Sequence, residues 1–165
     1  MDLDRDILAH MTFLPVMPGP PALMDARIFN DAPMSLRPGL LEIPFEDRLA
    51  FDAQANLFFV NFEGLGVRDT ADIALIRTAI EEKLARIGHK VYTIINYDRF
   101  MIEAELVDDY IAMVKGLMDR HYIDVTRYAS STFQRLKLGE AFAKARVAPH
   151  LYANAMEARE HLRKN

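Results

Sequence analysis

The pattern of hydrophobic and polar residues is most regular between residues 90 and 119. Residues 91–95 form an apolar run without polar alternation, which predicts a strand buried on both faces of a sheet. After a polar break at residues 96–99, apolar residues recur in steps of three and four, the stripe of an amphipathic helix: Leu106, Tyr110, Met113 and Leu117. A buried strand, a polar turn and a helix predict one half of a βαβ unit.

The same pattern occurs before and after this segment, over residues 57–87 and 123–145. Upstream, residues 48–52 alternate between polar and apolar, and a second apolar run returns at residues 57–62, which predicts an antiparallel hairpin. The helix after the hairpin is expected to end at Gly88, which suits a left-handed C-terminus. Further capping residues mark the starts of helices: Asp69 or Thr70, then Ser130, Ser131 or Thr132, and finally Asn154 with Glu157.

The predicted order of elements is hairpin, helix, strand, helix, strand, helix, short strand, helix. The last two strands are expected at residues 122–128 and 150–152, the second helix at about 102–120 and the terminal helix at 155–163. This order predicts an α/β domain with a small mixed sheet, in which a hairpin is followed by parallel βαβ units. We assign the domain to residues 39–165.

Residues 1–38 have a different composition. Six prolines exclude long helices and interior strands: Pro15, Pro18, Pro20, Pro21, Pro33 and Pro38. The segment is nevertheless rich in large apolar residues, which is not typical of a disordered linker. We interpret it as an ordered arm that packs on its own domain or on a second copy. A homodimer is slightly favoured over a monomer.

Composition limits the cellular compartments and the classes of partner that are expected for the protein. The 165 residues carry a net charge of −4 and include no cysteine. There is thus no disulfide framework and no general attraction to nucleic acid or to a membrane surface. The acidic start and the lack of a long apolar run indicate neither a signal peptide nor a membrane span. A cytoplasmic protein without a cofactor is the expectation.

The element order resembles the STAS-type fold of anti-sigma-factor antagonists, a small sheet with helices mainly on one side. The resemblance covers about residues 45–163 and is one of topology. Members that signal by phosphorylation carry an Asp-Ser-Ser-Gly-like step after the central strand. The matching residues 99–105 contain no hydroxyl side chain, so the resemblance does not imply a phosphorylation switch here.

A second resemblance is carried by several short segments. Residues 2–13 and 24–29 resemble the end of the catalytic region of long acyl-CoA:acetate/3-ketoacid CoA-transferases. Those enzymes continue into a C-terminal extension, which is similar to this chain at four further places: residues 60–65, 95–98, 125–128 and 148–152. The family's catalytic glutamate and glycine-rich loops belong to the domains that precede this region. Glu63-Gly64 does not match the nucleophile motif, so the resemblance implies no catalytic residue here.

The candidate binding site follows from the predicted topology. If the strands at 57–62, 90–96 and 122–128 run parallel, their carboxyl ends share the edge where open α/β sheets usually bind ligands. The candidate residues at this edge are Asn96, Tyr97, Asp98, Arg99, Arg127, Tyr128, Ser130, Ser131 and Thr132, with Asn61 and Glu63 beside them. Hydroxyl groups at a helix start with Arg127 nearby would suit a phosphate or carboxylate. The alternative is that the hydroxyl residues merely cap the helix and Asp98 pairs with an arginine.

The histidines and the acidic pairs do not predict a metal site or a catalytic site. Neither an HxxxH nor an HxxE spacing occurs among the five histidines, so no metal site is assigned: His10, His89, His121, His150 and His161. Adjacent acidic pairs on helices point in different directions and are expected to be solvated.

Three functions follow from these observations. The first is a non-catalytic accessory or interaction domain associated with a CoA-transferase, with the arm or a second copy as the contact. The alternative is a small regulatory module that binds an anion or a nucleotide at the strand ends. The third is CoA-transferase activity, which would belong only to a parent enzyme. Whether Met1 is a native start is left open.

Overall fold

The predicted apolar runs form the strands of a mixed sheet. The computed structural model describes residues 37–38 and 44–164. The strands in this part of the chain are β1 (Arg37–Pro38), β2 (Leu49–Asp52), β3 (Leu57–Asn61), β4 (Leu65–Val67), β5 (Val91–Asn96), β6 (Met101–Ile102), β7 (Tyr122–Tyr128) and β8 (Leu151–Tyr152). Five of them form the main sheet, in the order β2-β3-β5-β7-β8. The predicted α/β class with a mixed sheet is confirmed.

Strand directions in the main sheet follow from the lengths of the connections. The hairpin β2–β3 is antiparallel, and its turn is held by Asp52 Oδ1, which accepts hydrogen bonds from the backbone N–H groups of Gln54 and Ala55 at 3.0 and 3.2 Å. The longer connections carry helices, and β3, β5, β7 and β8 are all parallel. The apolar strand β5 therefore lies in the centre of the sheet, with neighbours on both sides.

Within residues 44–164, four α-helices accompany the sheet: α1 (Thr70–Ile87), α2 (Val107–His121), α3 (Thr132–Lys144) and α4 (Ala155–Lys164). Short 3₁₀ helices precede β2 at Phe45–Arg48 and α2 at Ala104–Leu106. Asp69 caps α1 by accepting a hydrogen bond from Asp72 N, and Gly88 ends it with φ +78°. At α4, Asn154 Oδ1 accepts from Glu157 N at 3.0 Å as predicted, and the Glu157 carboxylate accepts from the backbone N of Ala153 at 3.1 Å, one residue before the partner expected for a capping box.

The helices divide between the two faces of the main sheet. Alternate residues of the strands pack with α1, α2 and α3 in the larger core, which is centred on side chains such as Phe58, Ile95 and Phe142. The opposite face packs on α4 through Leu57, Ile94 and Ala158. Of the helices in the described residues, three thus cover one face of the main sheet and one covers the other.

A second, smaller sheet was not predicted. It has the order β1-β4-β6, with β1 antiparallel and β6 parallel to β4. We expected a helix to begin near Ile102. That expectation is wrong, because Gly66 and Val67 pair with Met101 and Ile102 and thereby delay the start of α2. Pro38 lies in the edge strand β1, where a residue without an N–H is tolerated.

Most of the predicted arm lies outside the described residues, as does its proposed packing. All described residues belong to one compact unit, residues 35–165. Within residues 44–164, none of the helices combines the length and the apolar character that crossing a membrane would require.

Candidate functional site

The carboxyl ends of three parallel strands meet at one edge of the main sheet, as the topology predicts. Asn61 at the end of β3 is in register with Asn96 at the end of β5, and Asn96 is in register with Tyr128 at the end of β7. The loops that leave these ends reach towards the N-terminus of α3. We call this region the strand-end edge.

The two asparagines terminate their strands by binding each other and the following backbone. Asn96 Nδ2 donates to Asn61 Oδ1 at 3.1 Å. The same Oδ1 accepts from Glu63 N at 3.1 Å, and Asn96 Oδ1 accepts from Asp98 N at 2.9 Å. These side-chain-to-backbone bonds turn the chain away from the sheet. The amides of Asn61 and Asn96 therefore shape the strand-end edge.

Asp98 joins the loop after β5 to the loop after β7. Its Oδ1 accepts from the backbone N of Ser130 at 2.5 Å and from Ser130 Oγ at 2.8 Å. Ser131 is the N-cap of α3, and its hydroxyl accepts from Gln134 N at 3.3 Å. Thr132 Oγ1 accepts from the Arg135 guanidinium. Ser131 thus caps the helix, whereas Ser130 bonds Asp98 and Thr132 bonds Arg135.

Arg99 lies at the surface of this edge. Its backbone has φ +54°, in the left-handed region that non-glycine residues seldom adopt. Its guanidinium forms an ion pair with Glu63, and both side chains are partly exposed to solvent. Such an exposed pair contributes about 0–1 kcal/mol, so it orients the two side chains more than it stabilises the fold.

Gln134 fixes the turn that holds Arg99, and the sequence analysis missed it. Its Nε2 donates to the carbonyls of Tyr97 and Phe100 at 2.6 and 2.9 Å. Its Oε1 accepts from the backbone N of Arg99 at 3.2 Å. One amide side chain on α3 therefore closes the loop after β5 against the helix. A glutamine in the first turn of a helix is a weak signal in sequence, because glutamine is common there for its helix propensity.

Two predicted site residues lie in the core and not at the edge. Arg127 is 0 % exposed, and its guanidinium donates to the carbonyls of Ala148 and Pro149 at 3.3 and 3.0 Å. The guanidinium carbon also lies 4.2 Å from the centre of the Phe142 ring. The expectation that Arg127 stands beside the hydroxyl residues is therefore wrong. Tyr97 is buried as well, and its hydroxyl lies 2.8 Å from that of Tyr110.

Burial changes the acidity of the core tyrosines. We call Tyr97, Tyr110 and Tyr122 the buried tyrosines, since each is almost fully shielded from solvent. Loss of hydration raises the pKa of all three, and the charge of Arg127 opposes the rise. At the strand-end edge, partial burial raises the pKa of Tyr128, as do the nearby carboxylates of Asp98 and Glu63. These hydroxyls stay protonated at neutral pH and act as hydrogen-bonding groups.

A groove adjoins the strand-end edge, between the small sheet and the first turns of α3. We call it the α3 groove; its volume is about 760 Å³. Basic residues at its margin are Arg68, Arg99 and Lys137, and Glu103 is the acidic residue that lines it. The other lining side chains are mostly apolar and include Phe100, Ile102, Phe133 and Leu138. The sequence analysis missed this groove because it predicted neither β4 nor β6.

A separate cluster on the α4 side of the main sheet unites Asp124, His150 and His161, whose ligand atoms lie within 4.8 Å of one another. We assigned no metal ligands from the sequence, because none of these three residues shares a recognisable spacing with another. Among the described residues this is the group of histidine and acidic side chains whose geometry suits a metal ion.

Comparison with known proteins adds no identification: no family model, curated protein or solved structure matches this chain.

Proposed function

We propose that this chain is a non-catalytic binding module with a STAS-like fold, and that the α3 groove takes a small anion with an apolar portion. The observation that carries the proposal is the composition of the groove: three cationic side chains stand at the margin of an apolar depression. A volume of about 760 Å³ falls in the range of small-molecule sites, roughly 300–1,000 Å³.

The charges favour an anion. The groove is lined by Arg68, Arg99 and Lys137 and by one carboxylate, that of Glu103. Arg99 is also paired with Glu63, so Arg68 and Lys137 carry most of the charge argument. The N-cap of α3, Ser131, lines the groove as well, and the N-terminus of a helix carries a partial positive charge. Both features favour a phosphate or carboxylate group.

The apolar lining favours a ligand that is more than a free phosphate. Phe100 is buried at the base of the groove, whereas Phe133 and Met101 are 69 % and 61 % exposed. Lys137 Nζ lies 5.7 Å from the centre of the Phe133 ring, which places a cation directly beside apolar surface. A nucleotide base or an acyl chain attached to the anion would cover this surface.

Binding is favoured over catalysis by the partners of the polar groups. The two carboxylates at the strand-end edge are engaged, Asp98 with Ser130 and Glu63 with Arg99. A general base needs a geometry that leaves it open to the proton of a substrate. The arrangement instead supports a preformed surface of fixed shape.

A second candidate is the accessory role implied by the resemblance to CoA-transferases. Exposed apolar side chains support it: Met101 and Phe133 line the α3 groove, and Leu136 follows Phe133 by three residues on α3. A patch of this kind is typical of a protein contact. The contact would be a CoA-transferase catalytic domain or a second copy of this chain.

Thermal unfolding in the presence of ligands tests the binding function. Acetyl-CoA, ATP and inorganic phosphate are titrated against the full chain, and a ligand at 100 times its Kd raises the stability by about 2.7 kcal/mol. We expect a larger shift with the amphiphilic anions than with phosphate, and a reduced shift in Lys137→Gln with Arg68→Gln. The exposed Lys115 on α2 provides the control variant Lys115→Gln. No shift with any of these anions would refute the proposal.

Two further measurements separate the candidates. Turnover of acetyl-CoA with a short-chain acid, clearly above that of boiled protein, would contradict a non-catalytic role. Light scattering reports self-association, and the variant Leu136→Ser removes an exposed apolar side chain that neither belongs to the core nor lines the α3 groove. The accessory role predicts that this variant loses the contact with a partner or second copy and still binds the anion.

A further inference from the structure

We propose that Asp124, His150 and His161 form a binding site for one divalent transition-metal ion, with Zn²⁺ as its preferred occupant. The three residues come from three elements: strand β7, the residue before β8, and helix α4. The fold therefore holds two imidazoles and one carboxylate together although they are distant in sequence. The site is independent of the α3 groove.

The distances between the side chains suit a shared ion. Asp124 Oδ1 lies 3.7 Å from His150 Nδ1, and Asp124 Oδ2 lies 3.8 Å from His161 Nε2. Two ligands of one tetrahedral zinc ion, each about 2.0–2.1 Å from the metal, are separated by roughly 3.3 Å. The centres of the two imidazole rings are 4.6 Å apart. All three ligand atoms lie within 4.8 Å of one another. The two contacts of Asp124 therefore exceed the tetrahedral separation by about half an ångström, and the ligand atoms must approach by at most about 1.5 Å, through rotation of partly exposed side chains.

The surrounding groups orient the ligands as outer partners do in metal sites. Tyr152 Oη lies 2.6 Å from His161 Nδ1, the ring nitrogen opposite the one that faces Asp124. Asp124 Oδ1 also accepts a hydrogen bond from Val125 N at 2.8 Å. Metal-bound histidines are usually held through their other ring nitrogen, as His161 is here. His150 differs, because its Nδ1 faces both Asp124 and the carbonyl oxygen of Val125 at 3.3 Å, and a bound ion would replace that second contact. We assign Tyr152 the role of a positioning residue that fixes the ring and tautomer of His161.

The ligand types select the metal. Two imidazole nitrogens and one carboxylate oxygen suit Zn²⁺, Co²⁺ and related ions, whereas Mg²⁺ and Ca²⁺ prefer an all-oxygen environment. Three protein ligands leave a fourth position for water or an incoming group. A depression of about 290 Å³ borders the site at His161 and is also lined by Tyr152, Glu157, Glu160 and Lys164.

Calorimetric titration of the untagged full chain with ZnCl₂ and with MgCl₂ tests the site. We expect one Zn²⁺ per chain and no heat of binding with Mg²⁺. His150→Gln and His161→Gln should each lower the affinity for Zn²⁺ at least tenfold, and Tyr152→Phe about tenfold. The matched controls are His89→Gln and His10→Gln, which should bind as the unchanged protein does. Circular dichroism in EDTA establishes which variants are folded, and Zn²⁺ affinities are compared among the folded variants.

The visible spectrum of bound Co²⁺ reports the ligands of the ion. A substitution that affects only the stability of the fold should therefore leave this spectrum unchanged. Co²⁺ bound by two imidazoles and a carboxylate in a tetrahedral site gives visible absorption bands, which should be lost in His161→Gln and altered in Tyr152→Phe. Absence of Zn²⁺ binding by the unchanged chain would overturn the proposal. Binding that persists in both His150→Gln and His161→Gln, or that disappears in His10→Gln, would overturn it as well.

Discussion

Replacement of Gln134 by leucine should loosen the loop after β5 without disturbing the core. The substitution keeps the approximate length of the side chain and removes three hydrogen bonds, to the carbonyls of Tyr97 and Phe100 and from the backbone N of Arg99. Each is worth about 0.5–1.5 kcal/mol net. The carbonyl of Tyr97 keeps a second partner, the backbone N of Phe100 at 3.0 Å. We therefore expect a loss of about 2 kcal/mol, towards the lower end of the sum.

Urea denaturation measures this loss, and a calorimetric scan should show a melting temperature lower by about 4–8 °C for a chain of this size. The matched control is Glu140→Leu, which places the same residue at an exposed position of the same helix. Leucine and glutamine have similar helix propensities, so helix formation itself changes little. Equal stabilities of Gln134→Leu and Glu140→Leu would show that the three hydrogen bonds do not hold the loop, and the reasoning would fail.

Other substitutions test the core and the helix termini. Gly88→Ala should lower the stability of the fold by about 1–2 kcal/mol because φ is +78° at this position. Gly139→Ala inside α3 should raise the stability by up to about 1 kcal/mol, and urea denaturation of both variants decides the signs. Arg127→Ala should cost about 3–5 kcal/mol by the same assay, since it empties a buried volume and strands two carbonyls; a loss below 1 kcal/mol contradicts this. Burial raises the pKa of the buried tyrosines above the ordinary value of about 10, so their contribution to stability is complete below pH 10 and is lost as the pH rises above it. Ultraviolet absorbance of tyrosinate should show that these three ionise only on unfolding.

The elements that the sequence predicted well are those whose signal is local and long. Helix α1 shows its apolar stripe over five turns and carries both of its caps, Asp69 and Gly88, in the sequence itself. Strand β5 is a continuous apolar run and lies at the centre of the sheet. Strands β4 and β6 have three and two residues, too few for any periodicity to be visible. The α3 groove depends on them, and so it could not be predicted.

The position of Arg127 could have been predicted from the sequence. Side chains two apart in a strand point to the same face, and Arg127 follows the apolar Val125 by two positions. Both face the larger core, where Arg127 binds two carbonyls and stacks on Phe142. Arg127 was expected at the strand-end edge because it is charged, whereas the alternation of side chains along the strand places it on the core face. A long guanidinium side chain reaches polar groups at the far margin of an apolar layer, and so a charged residue can occupy a core position.

The same period explains why the two proposed sites are separate. A bulge opposite Val91 and Tyr92 shifts the register of β7. After this bulge the side chains of β7 alternate: Asp124 and Thr126 face α4, whereas Val125 and Arg127 face the larger core. The metal ligands therefore lie on the α4 side of the sheet, and the α3 groove is built by elements outside that layer. Residues in different layers without shared partners have additive effects. A His161→Gln chain should then bind zinc at least tenfold more weakly and keep the thermal shift with amphiphilic anions. The double variant Lys137→Gln with Arg68→Gln should show a reduced thermal shift and bind zinc as the unchanged chain does.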